Sequence, residues 1–365
     1  MTVSKIATVV NGDVRNWWIS TFAHWSFSTL ALFFFSTLVL RYDSAFELLK
    51  NKLEVERFNT LQEMAEIRLK EVLAFVNHKG GVGKTTSVQS LATGLRRYGK
   101  GYFGKGEDGK ERKPRVLLID LDPQSSLSFL FGWSEVQNPG KPTIYDALIK
   151  QSPLPVYQVA EGIHLAPASA NLISIEPFLN QMPVPRKALT KLLAKPFAVM
   201  QDYKFVDKDG QEVETEFAGK DGMKVEEVFD YILIDCPPAM SLLTHNALSC
   251  ATSVVIPVQL EMLATKGIAE ILNAIKEARE DLNPNLDIRG LLMVMSNDQT
   301  KATKQFKEYL GDKFDDYMFD AYTRRDTKMV EAQAMSKDIF TYAPYSRVGN
   351  DYAAFTKEIL ASMPK

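Results

Sequence analysis

The chain has 365 residues, 45% of them apolar and 24% charged, with a formal net charge of −2. That length suits one large α/β domain with an appendage, and the near-neutral balance excludes a nucleic-acid binder that works by bulk positive charge. Cys236 and Cys250, the two cysteines, sit in no C-x-x-C pattern, which excludes a disulfide framework and an iron–sulfur centre.

Residues 1–16 read as a short N-terminal tail. Residues 17–40, WWISTFAHWSFSTLALFFFSTLVL, follow with His24 as the sole titratable side chain. At about 1.5 Å per residue a helix of this length exceeds the roughly 30 Å of a hydrocarbon core, so a transmembrane helix is predicted over 17–41. Trp17 and Trp18 mark one end as interfacial residues do, and Arg41 marks the other. Arg41, Lys50, Lys52 and Arg57 after the span outweigh Lys5 and Arg15 before it, which places the N-terminus outside and the rest inside. No basic n-region or small-residue cleavage site precedes Arg41, so a cleaved leader is not expected. The alternative is an apolar helix buried between the subunits of an oligomer. Residues 42–70 form a helical linker on the stripe Phe46, Leu49, Leu53, Phe58, Leu61 and Ala65. Its spacing slips between Leu53 and Phe58, so it either packs on the following domain or pairs with another copy, without clean heptads.

An apolar strand then runs into VNHKGGVGKTT, residues 76–86. Gly80, Gly81 and Gly83 free successive backbone N–H groups to curl around a β-phosphate, and Val82 lies between them. Lys84 neutralises the β/γ oxygens, Thr85 offers a hydroxyl to Mg²⁺, and Thr86 follows in the phosphate-binding turn. The helix that begins near Lys84 turns its positive end to the same phosphates. Asn77 or His78 stands where the general P-loop has its first glycine, so K-G-G-V-G-K-T-T, opening on Lys79, describes the loop better. This variant resembles the deviant Walker A loop of the ParA/MinD family of dimerising ATPases.

Two further runs, VLLIDLDPQ (116–124) and FDYILIDCPP (229–238), each read as a buried parallel strand that delivers aspartate to the carboxyl edge of its sheet. Residues 241–247, 255–260, 325–332 and 162–169 continue the likeness, which covers 71–365. It implies an α/β fold with a mostly parallel twisted sheet and helices on both faces, as in P-loop NTPases. It also implies ATP and Mg²⁺ as cofactors. By resemblance Asp235 is the Walker B carboxylate that holds Mg²⁺ through water, and Asp120 joins Thr85 and Asp235 around the metal. Asp122 then orients the attacking water, while Lys79 crosses to the phosphates of a second subunit. The implied activity is slow hydrolysis of ATP to ADP and phosphate. It would time an ATP-dependent homodimer or higher oligomer that positions, assembles or regulates a partner complex, and a protein partner would speed it. Since such an enzyme needs cytoplasmic ATP, the predicted place is the cell (inner) membrane, single-pass, with the ATPase in the cytoplasm. The residues do not separate partition, positioning and a role in a multi-gene system such as phage defence.

The sequence departs from the family at Arg324, where proline is usual, and at Thr252, where aspartate is frequent; both changes are expected at the base-binding and partner edge. Two insertions, near 100–115 and 202–224, interrupt the domain. Asp-Gly pairs at Asp209-Gly210 and Asp221-Gly222 predict a hairpin in the second. The first is net basic and reads as a solvated charged hairpin or as a partner- or headgroup-docking surface. A DNA-partition ATPase whose N-terminal segment is an oligomerisation helix is the alternative function. It is not favoured, because Lys301, Lys304, Lys307, Arg324, Arg325 and Lys328 are interleaved with acids. A membrane tyrosine kinase is a third reading, disfavoured by a tail that holds only Tyr342, Tyr345 and Tyr352.

Overall fold

The computed structural model describes residues 71–103, 109–200, 203–206, 211–213, 217, 222–259, 264–297, 314 and 317–362. The predicted transmembrane helix over 17–41 and the helical linker over 42–70 lie outside the described residues. Among the described residues no helix is long and apolar enough to cross a membrane.

The elements run β1 Glu71–Phe75, α1 Lys84–Tyr98, β2 Val116–Asp120, α2 Ser126–Leu130, α3 Ile144–Lys150, β3 Pro155–Ala160 and β4 Ile163–Ala166. Then come α4 Glu176–Leu179, α5 Ala188–Leu193, β5 Ala198–Val199, β6 Phe205–Val206, β7 Glu212–Val213, α6 Val225–Val228, β8 Tyr231–Asp235 and α7 Leu242–Cys250. The chain closes with β9 Ser253–Gln259, α8 Ala264–Asp281, β10 Asp287–Val294, α9 Thr327–Ala334, α10 Ile339–Tyr342 and α11 Arg347–Ala361. Eight strands form one sheet in the order β10-β9-β1-β8-β2-β4-β3-β5. The pairs from β10 through β4 are parallel, and β3 runs antiparallel to β4.

The central strands are apolar through their middles because both faces of the sheet are covered, and their period of two divides the residues between two cores. Ala74, Ile119, Ile234 and Ile256 pack with Leu148, Leu189, Ala247 and Ile271 from α3, α5, α7 and α8. Leu73, Phe75, Leu118, Leu233 and Val255 pack on the other face with Leu91 and Leu95 of α1 and Phe355 and Ile359 of α11.

This topology sets β1, β8 and β2 side by side. In register, Phe75 faces Asp235 and Asp120 faces Asp235, so the ends of the three motif strands meet at one carboxyl edge. Ligands of open α/β sheets bind at that edge.

The insertions lie toward the other end. β6 and β7 pair antiparallel on either side of Asp209-Gly210, the hairpin expected there. The first insertion is only partly the solvated arm predicted for it. Phe103 is buried, and Arg112 grips Asp230 with both terminal nitrogens, one of them at 2.7 Å. The Arg115 backbone N–H donates to the same carboxylate. A carboxylate with room for about four lone-pair contacts, placed just before β8, draws these basic residues inward. Thr252 is likewise at the amino edge, not at the base-binding edge expected for it. Its hydroxyl accepts from Val72 N–H and donates to Val72 C=O, pinning the start of β9 to the start of β1.

Candidate active site

The loop between β1 and α1 is built around two left-handed glycines, Gly81 and Gly83, both at φ 74°. An L side chain rarely adopts that conformation, and a β-carbon on Gly81 would meet only open space, so backbone geometry rather than crowding requires glycine there. One residue before His78, which stands where the general P-loop has its first glycine, the Asn77 side chain staples the loop. Its Nδ2 donates to Pro257 C=O at 2.7 Å, and its Oδ1 accepts from Lys79 N–H at 3.0 Å. Pro257 lies beyond the point where β1 stops pairing with β9, so its carbonyl is available there. His78 packs on α8, where a β-carbon on Gly267 would fall 2.2 Å from its ring.

The two lysines of the motif occupy different environments. Lys84 is buried, and its ammonium donates to Lys79 C=O at 3.1 Å. Burial lowers its pKa, opposed by the charges of Asp235 and Asp122. A buried ammonium over a nest of N–H groups has an unmet demand for anionic oxygen. Lys79 is exposed on the rim of the loop.

Thr85 Oγ1 donates to Asp235 Oδ2 at 2.6 Å, which joins the Walker A hydroxyl to the Walker B carboxylate. Asp235 is fully buried, and its other oxygen has no hydrogen-bond partner among the described residues. Burial, then the neighbouring Asp120, raise its pKa well above the ordinary carboxylate range. An orphaned oxygen on a destabilised carboxylate beside a threonine hydroxyl suits a hydrated Mg²⁺, which keeps most of its waters and takes one or two protein ligands.

Asp120, placed in the metal set by resemblance, stands opposite Asp235 in register with both carboxylate oxygens engaged by protein donors. Its Oδ2 accepts from Ser128 N–H at 2.9 Å and Ser128 Oγ at 2.7 Å, and its Oδ1 accepts from Asp122 N–H at 3.1 Å. Burial pushes its pKa up to about 7 against these hydrogen bonds. The carboxylate is committed to shaping the loop after β2. Asp122 stands on that loop and lines the cleft, with Oδ1 accepting from Gln124 N–H at 2.9 Å. Ser125, also on the cleft, is held at φ 54°, a conformation costly for a non-glycine residue and recurrent at functional sites.

The cleft measures about 940 Å³ and is walled by Gly80, Gly81, Gly83, Lys84, Thr85 and Thr86 on one side and by residues from Asp122 to Val136 on the other. The structure thus brings together Lys79, Lys84, Thr85, Asp122 and Asp235 around one edge. Pro238, Met295 and Gln333 complete the lining, the last two carrying no motif in the sequence. Met295 is at φ 52°, and its methyl lies 3.5 Å from where a Gly83 β-carbon would be. Arg324, expected at the base-binding edge, is clamped by Asp351 through its backbone N–H and its guanidinium.

Fold and loop together define a P-loop nucleotide-binding protein of the ATPase class. The family model described as "AAA domain" matches residues 70–210 and 211–288. The chromosome-partitioning ATPase Soj of Thermus thermophilus is 30% identical over 290 residues, 79% of this chain and 95% of that protein. The chromosome partitioning protein ParA of Caulobacter vibrioides is 28% identical over 293 residues, 80% of this chain and 94% of that one. Among solved structures, cobyrinic acid a,c-diamide synthase of Mycobacterium smegmatis with bound ADP and magnesium superposes with a TM-score of 0.58 at 25% identity, over 80% of this chain and 94% of that one. The chain belongs to this AAA-domain family, in the company of the ParA and Soj ATPases. The family match begins at residue 70, so the predicted membrane extension gains no support from it.

Proposed function

We propose that this chain is a ParA/MinD-like switch ATPase that binds ATP with Mg²⁺ and hydrolyses it slowly. The observation that carries the reading is the division of labour between two lysines of one loop. Lys84 is buried beneath the glycine cradle, where it serves phosphate in its own subunit, while Lys79 is exposed on the rim, where a second copy can meet it. Thr85 and Asp235 are the residues that would hold Mg²⁺, which when bound would supply charge neutralisation at the β/γ-phosphates. Asp122, on the facing wall, orients the attacking water. Lys79 reaches the phosphates bound by the other copy, so closure of the dimer and hydrolysis are coupled. Asp120 acts by fixing the Asp122 loop. Lys79→Ala is therefore expected to abolish ATP-driven dimerisation in light scattering and cut turnover by ~10²-fold or more, with monomer ATP affinity nearly unchanged. A Lys79→Ala protein that dimerises and turns over normally would reduce the loop to an ordinary P-loop.

The finer reading is a membrane-tethered ATPase that positions or assembles a partner complex. It rests on the uncharged run at 17–40, its two leading tryptophans and the four basic residues after it. Full-length protein is then expected to stay with membranes through carbonate extraction, and a chain starting at residue 42 to be released with ATP binding intact. Extraction of the intact chain by carbonate would instead make 17–40 an oligomerisation helix. The second reading, DNA partition, is favoured by the names of the relatives, chromosome partitioning protein ParA and chromosome-partitioning ATPase Soj. Against it, Arg324 is paired with Asp351 and Lys328 with Glu331. Lys301, Lys304 and Lys307 lie outside the described residues. ATP-dependent, salt-sensitive binding to nonspecific duplex would establish it.

A further inference from the structure

Gln333 lies near the end of α9, a helix whose outer residues Thr327, Lys328, Val330 and Ala334 are exposed and whose buried anchor is Ala332. Its side chain crosses to α1, where Nε2 donates to Thr86 Oγ1 at 2.8 Å. Both residues line the cleft. A threonine hydroxyl has one hydrogen and two lone pairs. Once a lone pair is taken by the amide N–H, the Thr86 hydrogen is turned away from Gln333. Thr93, two turns further along α1, spends its own hydrogen on Gln89 C=O at 2.9 Å, within the helix. Thr86 makes no such bond among the described residues, and it sits where the first-turn N–H groups face the cleft. Those groups are donors and cannot accept its hydrogen. The acceptor that fits is an oxygen of a bound phosphate.

We propose that Gln333 is a positioning residue that orients the Thr86 hydroxyl as a hydrogen-bond donor to a phosphate oxygen of the nucleotide. The proposal rests on the reading of the cleft as an ATP site. It adds a link from α9, on the partly exposed side of the domain, to the phosphate loop. Polarisation along the chain amide–hydroxyl–phosphate strengthens both bonds when nucleotide is present, and by linkage nucleotide then holds α9 against α1.

The test compares Gln333→Met, Gln333→Glu, Thr86→Val and the Thr86→Val/Gln333→Met double variant in titrations of Mg-ADP, with Lys84→Ala as control and melting temperature measured in parallel. Methionine keeps the length and helix preference of glutamine without the donor. Gln333→Met is expected to weaken ADP by about three- to tenfold, the worth of one neutral hydrogen bond. Glutamate would accept the Thr86 hydrogen and add a like charge beside the phosphates, so Gln333→Glu is expected to weaken ADP on the order of 100-fold. In the Thr86→Val background, Gln333→Met should add nothing. A merely structural α9 contact would move the melting temperature and give neither this order nor this cancellation. Wild-type ADP affinity in Gln333→Met, or a loss that persists undiminished beside Thr86→Val, overturns the positioning role while leaving the ATP site standing. Unchanged affinity in Lys84→Ala overturns the ATP site itself. If Gln333→Met fails to fold, Thr86→Val alone still reads the hydroxyl: full ADP affinity there overturns the proposal.

Discussion

Lys84→Ala is expected to abolish ATP binding at working concentrations while leaving the fold intact. Lys84 is buried at 6% exposure and its ammonium donates to Lys79 C=O, so it already points into the cradle. With nucleotide it exchanges that neutral carbonyl for β- and γ-phosphate oxygens. Two charge-assisted hydrogen bonds at about 1.5–3 kcal/mol each amount to a loss of roughly 10²–10⁴ in affinity. The fold has no comparable stake in this side chain, because burial already disfavours its charge and lowers its pKa. Isothermal titration with Mg-ATP on a variant that melts like wild type checks the expectation. Wild-type affinity would remove the P-loop reading, and with it every role assigned to Thr85 and Asp235.

What the sequence made legible is what local chemistry determines. A run such as YILID, uniform in hydrophobicity and ending in aspartate, can be little else than a buried parallel strand with its carboxylate at the ligand edge. Asp235 is found fully buried at that edge. The glycine loop was legible because a turn held at φ 74°, as at Gly81 and Gly83, strongly favours glycine. The ATP and Mg²⁺ reading followed from the same residues, and the solved relative with ADP and magnesium agrees with it.

The remainder depended on pairings over long sequence separations, which no local pattern encodes. Gln333 reaches Thr86 across 247 positions, and Asn77 reaches Pro257 across 180. Asp120 reads like a second metal carboxylate because it ends a strand just as Asp235 does. Its hydrogen bonds to Ser128, eight residues on, turn it into the brace of the neighbouring loop. Thr252 was misplaced because a single residue between a helix and a strand does not reveal which end of the sheet it occupies. The basic insertion looked solvated because its destination, Asp230, lies more than a hundred residues away. His164 is another such case. It reads as an ordinary strand residue, yet it is fully buried, stacks on Phe217 at 4.8 Å, and has its pKa pushed down to about 3 by burial and by Arg115 and Arg96. A neutral imidazole in an aromatic cluster is core, and it contributes nothing to the active site at the other end of the sheet.

Asp122→Ala is expected to leave ATP binding and dimerisation intact and to stop hydrolysis, trapping the closed dimer. Asp122 is about nine-tenths buried, lines the cleft across from the phosphate loop, and has one carboxylate oxygen engaged with Gln124 N–H. It neither contributes to the glycine cradle nor pairs with Lys84 by a hydrogen bond, so removing it takes nothing from ground-state binding. A water-orienting carboxylate contributes roughly 10²–10⁴ to the rate, which sets the scale of the loss. Alanine also removes the turn that Oδ1 makes with Gln124, and that alone could misplace Ser125 and its strained backbone. Asp122→Asn separates the two effects, because an asparagine side-chain oxygen still accepts from Gln124 N–H while carrying no charge. If the charge is what matters, both variants lose turnover equally and both remain dimeric in ATP by light scattering. If Asn restores hydrolysis, Asp122 serves the loop as Asp120 does, and the water must be oriented by another group on the cleft. Dimers of either variant that fall apart in ATP would instead place Asp122 in the closing interface.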